Sequence, residues 1–338
     1  MLDFGIAGKT AVVCASSKGL GYGCADALAA VGVNLVMNAR TSETLAAAAA
    51  RIRDAHGVEV KEVPADITTT EGRAAVLEAA GHVDILVNNA GGPPPGDFRD
   101  WTRETWITAL DANMLAAFEL IKAVVDPMID NRFGRIVNIT SGSVKSPIAQ
   151  LGLSNGARAA LTGFCAGLAR QVAQHNVTVN GLLPGQFNTD RIESLISATA
   201  EREGRSSAEV RDTFEQRNPA KRLGEIEEFG FACAWMCSAR SGYLTGQNIL
   251  IDGGSFKKPP SAMCLYARHT AYFIMIAIFP YRLVVTNSFC HYDRVYGVDI
   301  NITSKNVLIV EIKELKKFFK CIDLNRKILC ISEYRPSI

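Results

Sequence analysis

Gly19 and Gly21 stand in the run Cys14-Ala15-Ser16-Ser17-Lys18-Gly19-Leu20-Gly21, where a short apolar strand gives way to a helix. Glycines there let the main chain approach a phosphate, and the helix start behind them offers unpaired N–H donors. A turn ahead of any helix would give the same pair, so the pattern is weak alone. It is followed in order by Asp66, Asn88-Asn89-Ala90-Gly91, Asn113, Ser141, Pro184-Gly185 with Thr189, Leu244-Thr245-Gly246-Gln247 and Asp252-Gly253-Gly254. Most of these fall where a strand ends, and they are hydroxyls, carboxamides and glycines suited to holding polar ligand atoms. No metal site is expected: Cys233 and Cys237 are four apart on a helix, but no further His or Cys lies nearby to complete a ligand set, so they read as buried core.

Alternating strands and helices position these residues. Strands are expected at Thr10–Cys14, Asn34–Asn38, Val58–Pro64, Val83–Asn88, Arg135–Ile139, Val177–Leu183 and Asn248–Ile251. Helices are expected at Leu20–Val31, Glu43–Ala55, Glu71–Ala80, Arg103–Val125, Gly156–Ala173 and Glu227–Cys237. Nearly continuous apolar strands in such an alternation mean a doubly wound parallel sheet with helices on both faces, an α/β fold. The charged segment Asp190–Gly224 interrupts the rhythm as a substrate-covering insertion would, and carries no diagnostic chemistry. Trp101 and Trp106, after Pro93-Pro94-Pro95, read as packing or subunit-contact residues; His56 and His82 read as surface residues and His175 as a helix-end cation.

Composition divides the chain near Phe256. Residues 1–256 carry 23 basic and 28 acidic side chains, and residues 257–338 carry 13 and 6. Of the 28 glycines only Gly297 lies in the second part, which also holds six of the eight tyrosines. A net charge of +2 over 338 residues gives no reason to expect nucleic-acid binding. Nine cysteines without C-x-x-C pairs, and an N-terminus without a basic region or long apolar run, point to a reducing cytoplasm. Residues 257–338 read as an unrelated, basic, low-glycine extension without a functional domain of their own, since their apolar residues keep no period that could build a core. The alternative is a partner-binding element using Ala271–Phe279 and the basic Lys313–Lys320 stretch. Ala271–Phe279 is too short for a membrane-spanning helix, which needs about 20 residues.

Over about residues 4–256 the ordered motifs resemble the short-chain dehydrogenase/reductase family, especially its 3-oxoacyl-carrier-protein-reductase-like branch. The resemblance implies a single-domain Rossmann sheet of about seven strands, a homodimer or homotetramer, and a nicotinamide dinucleotide as cofactor. It places Ser17, Lys18, Gly19, Leu20 and Gly21 at the cofactor, with Asp66 and Ile67 by the adenine edge. Asn89, Ala90 and Gly91 would line the central strand beside the cofactor, and Pro184, Gly185 and Thr189 the nicotinamide side. The second strand ends in Asn38-Ala39-Arg40, with no acid to bind a ribose 2′-hydroxyl or repel a 2′-phosphate. Arg40, joined by Lys18, therefore favours NADP(H) over NAD(H).

The family reduces carbonyls with a Ser–Tyr–Lys group, in which the two hydroxyls hold the carbonyl oxygen and the phenol gives the proton. Counting from Ser141, Ser154 stands at the Tyr position and Arg158 at the Lys position. No tyrosine occurs between Tyr22 and Tyr243, and no lysine between Lys145 and Lys221, so the register has no other solution. Arg158 keeps the positive charge and ribose hydrogen bonds. Ser154 can orient substrate or pass on a proton, but an aliphatic hydroxyl is a far weaker acid than a phenol of pKa about 10. Ser141, Asn113, Ser154 and Arg158 are the catalytic candidates. Lys145 is the nearest titratable side chain, with a solvated loop lysine as its plain alternative, and Ser143 competes with Ser141. The expected function is NADP(H)-dependent hydride transfer between nicotinamide and a small carbonyl or alcohol substrate with an atypical acid. The alternatives are a nucleotide-binding pseudoenzyme and a scaffolding subunit built on the helices Asn113–Val125 and Gly156–Ala173.

Overall fold

The computed structural model describes residues 3–256 throughout and, beyond them, the backbone of four short strands. The chain divides into two units, Met1–Lys257 and Lys258–Ile338.

In the first unit, β1 (Thr10–Val13), β2 (Asn34–Ala39), β3 (Val60–Pro64), β4 (Ile85–Asn88), β5 (Gly134–Ile139), β6 (Val177–Pro184) and β7 (Asn248–Ile251) form one sheet. Its order is β3-β2-β1-β4-β5-β6-β7, with every pair parallel. This is the doubly wound Rossmann architecture that the alternation implied. Both faces are covered. Ala11 and Val13 of β1 enter one core with α1 (Gly19–Ala29), α2 (Ser42–His56) and α9 (Ile226–Cys237). Val12 and Cys14 enter the other with α3 (Thr70–Ala80), α5 (Ala116–Asp130) and α6 (Gly152–Val172). Apolar residues at successive positions from Ala11 to Val13 follow from strand alternation between two buried faces.

The α1–α9 contact is unusually close. A Cβ on Gly230 would stand 2.1 Å from the Gly23 carbonyl oxygen, so only glycine lets the two backbones meet. Cys24, Cys233 and Cys237 lie fully buried in the same core. Among the described residues no group of His, Cys, Asp and Glu could hold a metal ion, and no helix is long and apolar enough to cross a membrane.

Three sequence expectations change. The helix expected at Arg103–Val125 is instead α4 (Arg103–Leu110), a π turn at Asp111–Leu115, and α5. The turn opens at Asn113, whose Nδ2 donates to the Ala109 carbonyl at 3.3 Å; such single-turn insertions recur at functional sites. Second, α6 begins at Gly152 rather than Gly156, which puts Ser154 and Arg158 on one helix face. Trp101 packs on Gly152 and Trp106 on Gly156, where larger residues would collide with the indoles. Third, His56 is half-buried rather than on the open surface, its Nε2 2.9 Å from Asp26 Oδ1, while His82 is exposed as expected, its Nε2 3.3 Å from Asp84 Oδ1. The insertion Asp190–Gly224 folds as α7 (Asp190–Glu203) and α8 (Ser207–Arg217) around a small core of Ile192, Ile196, Ala200, Val210 and Leu223.

In the second unit, β8 (Ile276–Phe279), β9 (Arg282–Thr286), β10 (Ile300–Thr303) and β11 (Val307–Val310) form an antiparallel sheet of order β10-β11-β9-β8. The sequence reading found no such rhythm. The strands are short runs rich in β-branched residues, a local preference that needs no longer period. Residues 271–275 of the apolar run and the basic stretch Lys313–Lys320 lie outside the described residues.

Candidate active site

The candidate residues gather at the C-terminal ends of the strands, around the point between β1 and β4 where the winding reverses. In open α/β sheets this is where ligands bind.

After β1, Ala15 and Gly19 take left-handed backbone angles, with φ of 47° and 57°. Ser16 N donates to the Asn38 carbonyl at 2.9 Å, fastening the turn to the end of β2. Lys18 occupies the cap of α1 without any side-chain cap, so the first helical N–H groups are left for a ligand. A Cβ on Gly21 would stand 2.2 Å from the Ala15 carbonyl oxygen and 2.8 Å from Asn89 Nδ2. Asn89 Nδ2 donates to that same carbonyl at 3.3 Å, tying the end of β4 to the turn. Gly21→Ala must push the turn open, and fluorescence titration should then show dinucleotide affinity reduced at least roughly tenfold, about 1.4 kcal/mol.

Asp66, after β3, accepts from Thr68 N and Thr68 Oγ1 at 2.9 and 2.8 Å. These bonds, with a smaller contribution from the Arg40 charge, hold its carboxyl below the usual range, so it is an anion at neutral pH. Arg40 is exposed just beyond β2. Lys18 does not join it: its Nζ lies 2.8 Å from Asp190 Oδ2, in a pair whose side chains are 70% and 72% exposed. Exposed pairs of this kind are weak and easily exchanged for another anion. Thr189 sits across the glycine turn, its Cγ2 being 3.7 Å from where a Gly19 Cβ would be. Gly185 N donates to the Ile251 carbonyl at 2.8 Å, holding the Pro184-Gly185 corner against the end of β7.

Arg158 is the most constrained group. Its side chain is buried, and Nε donates to Ser154 Oγ at 3.1 Å. Nη1 donates to the Ile139 and Thr140 carbonyls at 2.9 and 2.7 Å, and Nη2 to the Ala90 carbonyl at 3.1 Å. Four of its five N–H groups thus bind the protein, bridging the ends of β4 and β5. Burial, then the nearby Arg191 charge, pulls the guanidinium down to about 10, which leaves it cationic at neutral pH.

Ser154 is also buried. Ser141 follows β5, half-buried, and its Oγ accepts from Ser143 N at 3.1 Å. Ser143 is turned inward, its buried Oγ without a partner among the described residues. Lys145 is exposed, as the plain reading of a loop lysine had it.

A small pocket brings together Ile67, Asn89, Ala90, Asn113 and Arg158, with Asn88 and Leu161. Asn113 Oδ1 is buried with no partner among the described residues. Ser141 and Ser154 do not line that pocket; Ser154 connects to it through Arg158. Sequence reasoning missed the polar column beneath. Asn88 Nδ2 donates to Asn138 Oδ1 at 2.9 Å, and Asn138 Nδ2 to Cys165 Sγ at 3.3 Å. Asparagines ending adjacent strands were its only signal: Asn88 and Asn138 are register partners.

Residues 14–255 match the sequence model of a family described as Enoyl-(Acyl carrier protein) reductase. The chain is 32% identical to a gluconate 5-dehydrogenase of Gluconobacter oxydans over 257 residues, covering 74% of this chain and 96% of that protein. It is 35% identical to a 3-oxoacyl-[acyl-carrier-protein] reductase of Vibrio cholerae over 255 residues, covering 74% and 98%.

The chain belongs to the short-chain dehydrogenase/reductase family.

Among solved structures, an L-sorbose reductase of Gluconobacter frateurii in complex with NADPH and L-sorbose superposes with a TM-score of 0.73 at 31% identity, covering 76% of this chain and all of that one. By family the chain is an oxidoreductase. The open start of α1 and the cradle that a Cβ on Gly21 would fill fit the dinucleotide such reductases use.

Proposed function

We propose that the protein is an NADP(H)-dependent short-chain oxidoreductase that interconverts a carbonyl and an alcohol without a phenolic acid. NADP(H), when bound, supplies or accepts the hydride. Ser17, Lys18, Gly19, Leu20 and Gly21 would hold its diphosphate, Asp66 and Ile67 the adenine, Arg40 the 2′-phosphate, and Asn89, Ala90, Gly91, Pro184, Gly185 and Thr189 the nicotinamide half.

The reading rests above all on the buried bond from Arg158 Nε to Ser154 Oγ. Because Ser154 accepts from a cation, its own hydrogen is free to point at a substrate oxygen. Ser141 is placed likewise, accepting from Ser143 N and keeping its hydrogen for the ligand. Two hydroxyls and a fixed cation would stabilise charge growing on the carbonyl oxygen, the term that usually dominates such catalysis. Ser154 then orients the substrate, and the final proton comes from solvent, a slower route than direct donation by a phenol. Asn113 Oδ1, unpartnered in the pocket, is the acceptor available to hold a water on that route. A homo-oligomer through α5 and α6 belongs to the same proposal, Phe118 and Phe164 crossing edge to face 5.0 Å apart at that helix pair.

Arg40, exposed just beyond β2, forms no ion pair among the described residues, so NADPH should bind at least roughly tenfold more tightly than NADH. Arg40→Asp should reverse the order in the same titration, and equal affinities in the unmodified protein would refute the assignment. The Arg158 geometry also favours a second reading, a nucleotide-binding protein without turnover, since a single N–H remains for a ribose. NADPH oxidation against a panel of carbonyl compounds separates the two.

A further inference from the structure

Resting on the oxidoreductase reading above, we propose that Arg191, on the first turn of α7, receives an oxyanion of the substrate, so that the protein acts on carbonyl compounds or alcohols bearing a carboxylate or phosphate ester. The Arg191 guanidinium lies against the strand-end loop: a Cβ on Gly92 would stand 2.9 Å from Nη1 and 3.2 Å from Nη2. Gly92 is two residues beyond Ala90, whose carbonyl holds Arg158. The two guanidiniums thus converge on one stretch of chain, and the charge of Arg191 is felt at Arg158.

Among the described residues no acid is paired with either guanidinium. Of the acids nearest Arg191 on α7, Glu193 pairs with Arg211 and Asp190 with Lys18, the latter in an exposed and exchangeable pair. Arg191 forms no ion pair or hydrogen bond among the described residues, and neither Asp nor Glu lines the pocket. Two like charges near one stretch of chain repel, and an anion between them removes the repulsion. A guanidinium fork matches a carboxylate or phosphate through two parallel N–H bonds. The cofactor also carries a diphosphate, but the glycine turn and the open start of α1 already serve that group, which leaves Arg191 for the substrate.

The experiment measures binding to the NADPH-loaded protein, by calorimetry, of matched probes differing in one charge: gluconate and sorbitol, 3-hydroxybutyrate and its methyl ester, sorbitol 6-phosphate and sorbitol. In at least one pair the anion should bind at least tenfold more tightly, and Arg191→Gln should erase that preference while the Kd for NADPH changes less than twofold. Arg191→Lys should restore part of it, showing that the loss is one of charge and not of folding. No anion preference in any pair, or a preference that survives Arg191→Gln, overturns the proposal. A drop in NADPH affinity in Arg191→Gln overturns it too, assigning the side chain to the cofactor. Failure of the unmodified protein to bind NADPH would instead sink the oxidoreductase reading, and the same pairs titrated without cofactor would then decide Arg191 alone.

Discussion

Ser154→Tyr combined with Arg158→Lys is expected to raise kcat for carbonyl reduction by roughly 100-fold, within the range a positioned general acid contributes. The unmodified site offers only an aliphatic hydroxyl backed by a guanidinium, and neither group titrates between about pH 6 and 9. Arg158, brought down to about 10 by burial and then by the Arg191 charge, is protonated across that window. The unmodified kcat should accordingly be flat there. In the double variant the introduced phenol must be protonated to donate, so reduction should fall as pH rises through its pKa, itself lowered by the introduced ammonium. A folded double variant with unchanged kcat and a flat profile would show that the proton step does not limit this protein.

Ser141→Ala should cost about 100-fold in kcat and Ser154→Ala less than about tenfold, the scale set by removing one donor to a developing oxyanion. The asymmetry follows from their surroundings. Ser141 stands half-buried at the end of β5 with its hydrogen unspent. Ser154 is buried under Arg158, and its loss leaves that guanidinium anchored on three main-chain carbonyls, so the cation stays in place. The reverse ranking in steady-state assays would make Ser154 the principal donor.

The strands were legible because both faces of the sheet are buried: β5, expected at Arg135–Ile139, runs Gly134–Ile139 and is buried at every position. Ser154 and Arg158 could be proposed by counting, since the chain from Ser141 onward needs no gap. What could not be read were properties set by distant partners. The helix reads as starting at Gly156, four residues late, until Trp101 is known to press on Gly152. Lys18 looks free to join Arg40 until α7 brings Asp190 within 2.8 Å. Arg158 looks available to a ribose until the carbonyls of β4 and β5 claim its donors. Arg191 carried no signal at all, as a charged residue on a charged helix, because its meaning depends on Gly92 lying beneath it.

The backbone contact between Gly23 and Gly230 bears on more than packing. It clamps the helix whose first turn faces the nucleotide, so the loop ahead of that helix is held in its working shape before any ligand arrives. Fixing a residue's backbone costs about 1–2 kcal/mol of conformational entropy, and here folding has already met that cost for the loop. Binding then draws on preorganisation, and nucleotide affinity depends in part on a helix–helix seam that the nucleotide does not touch.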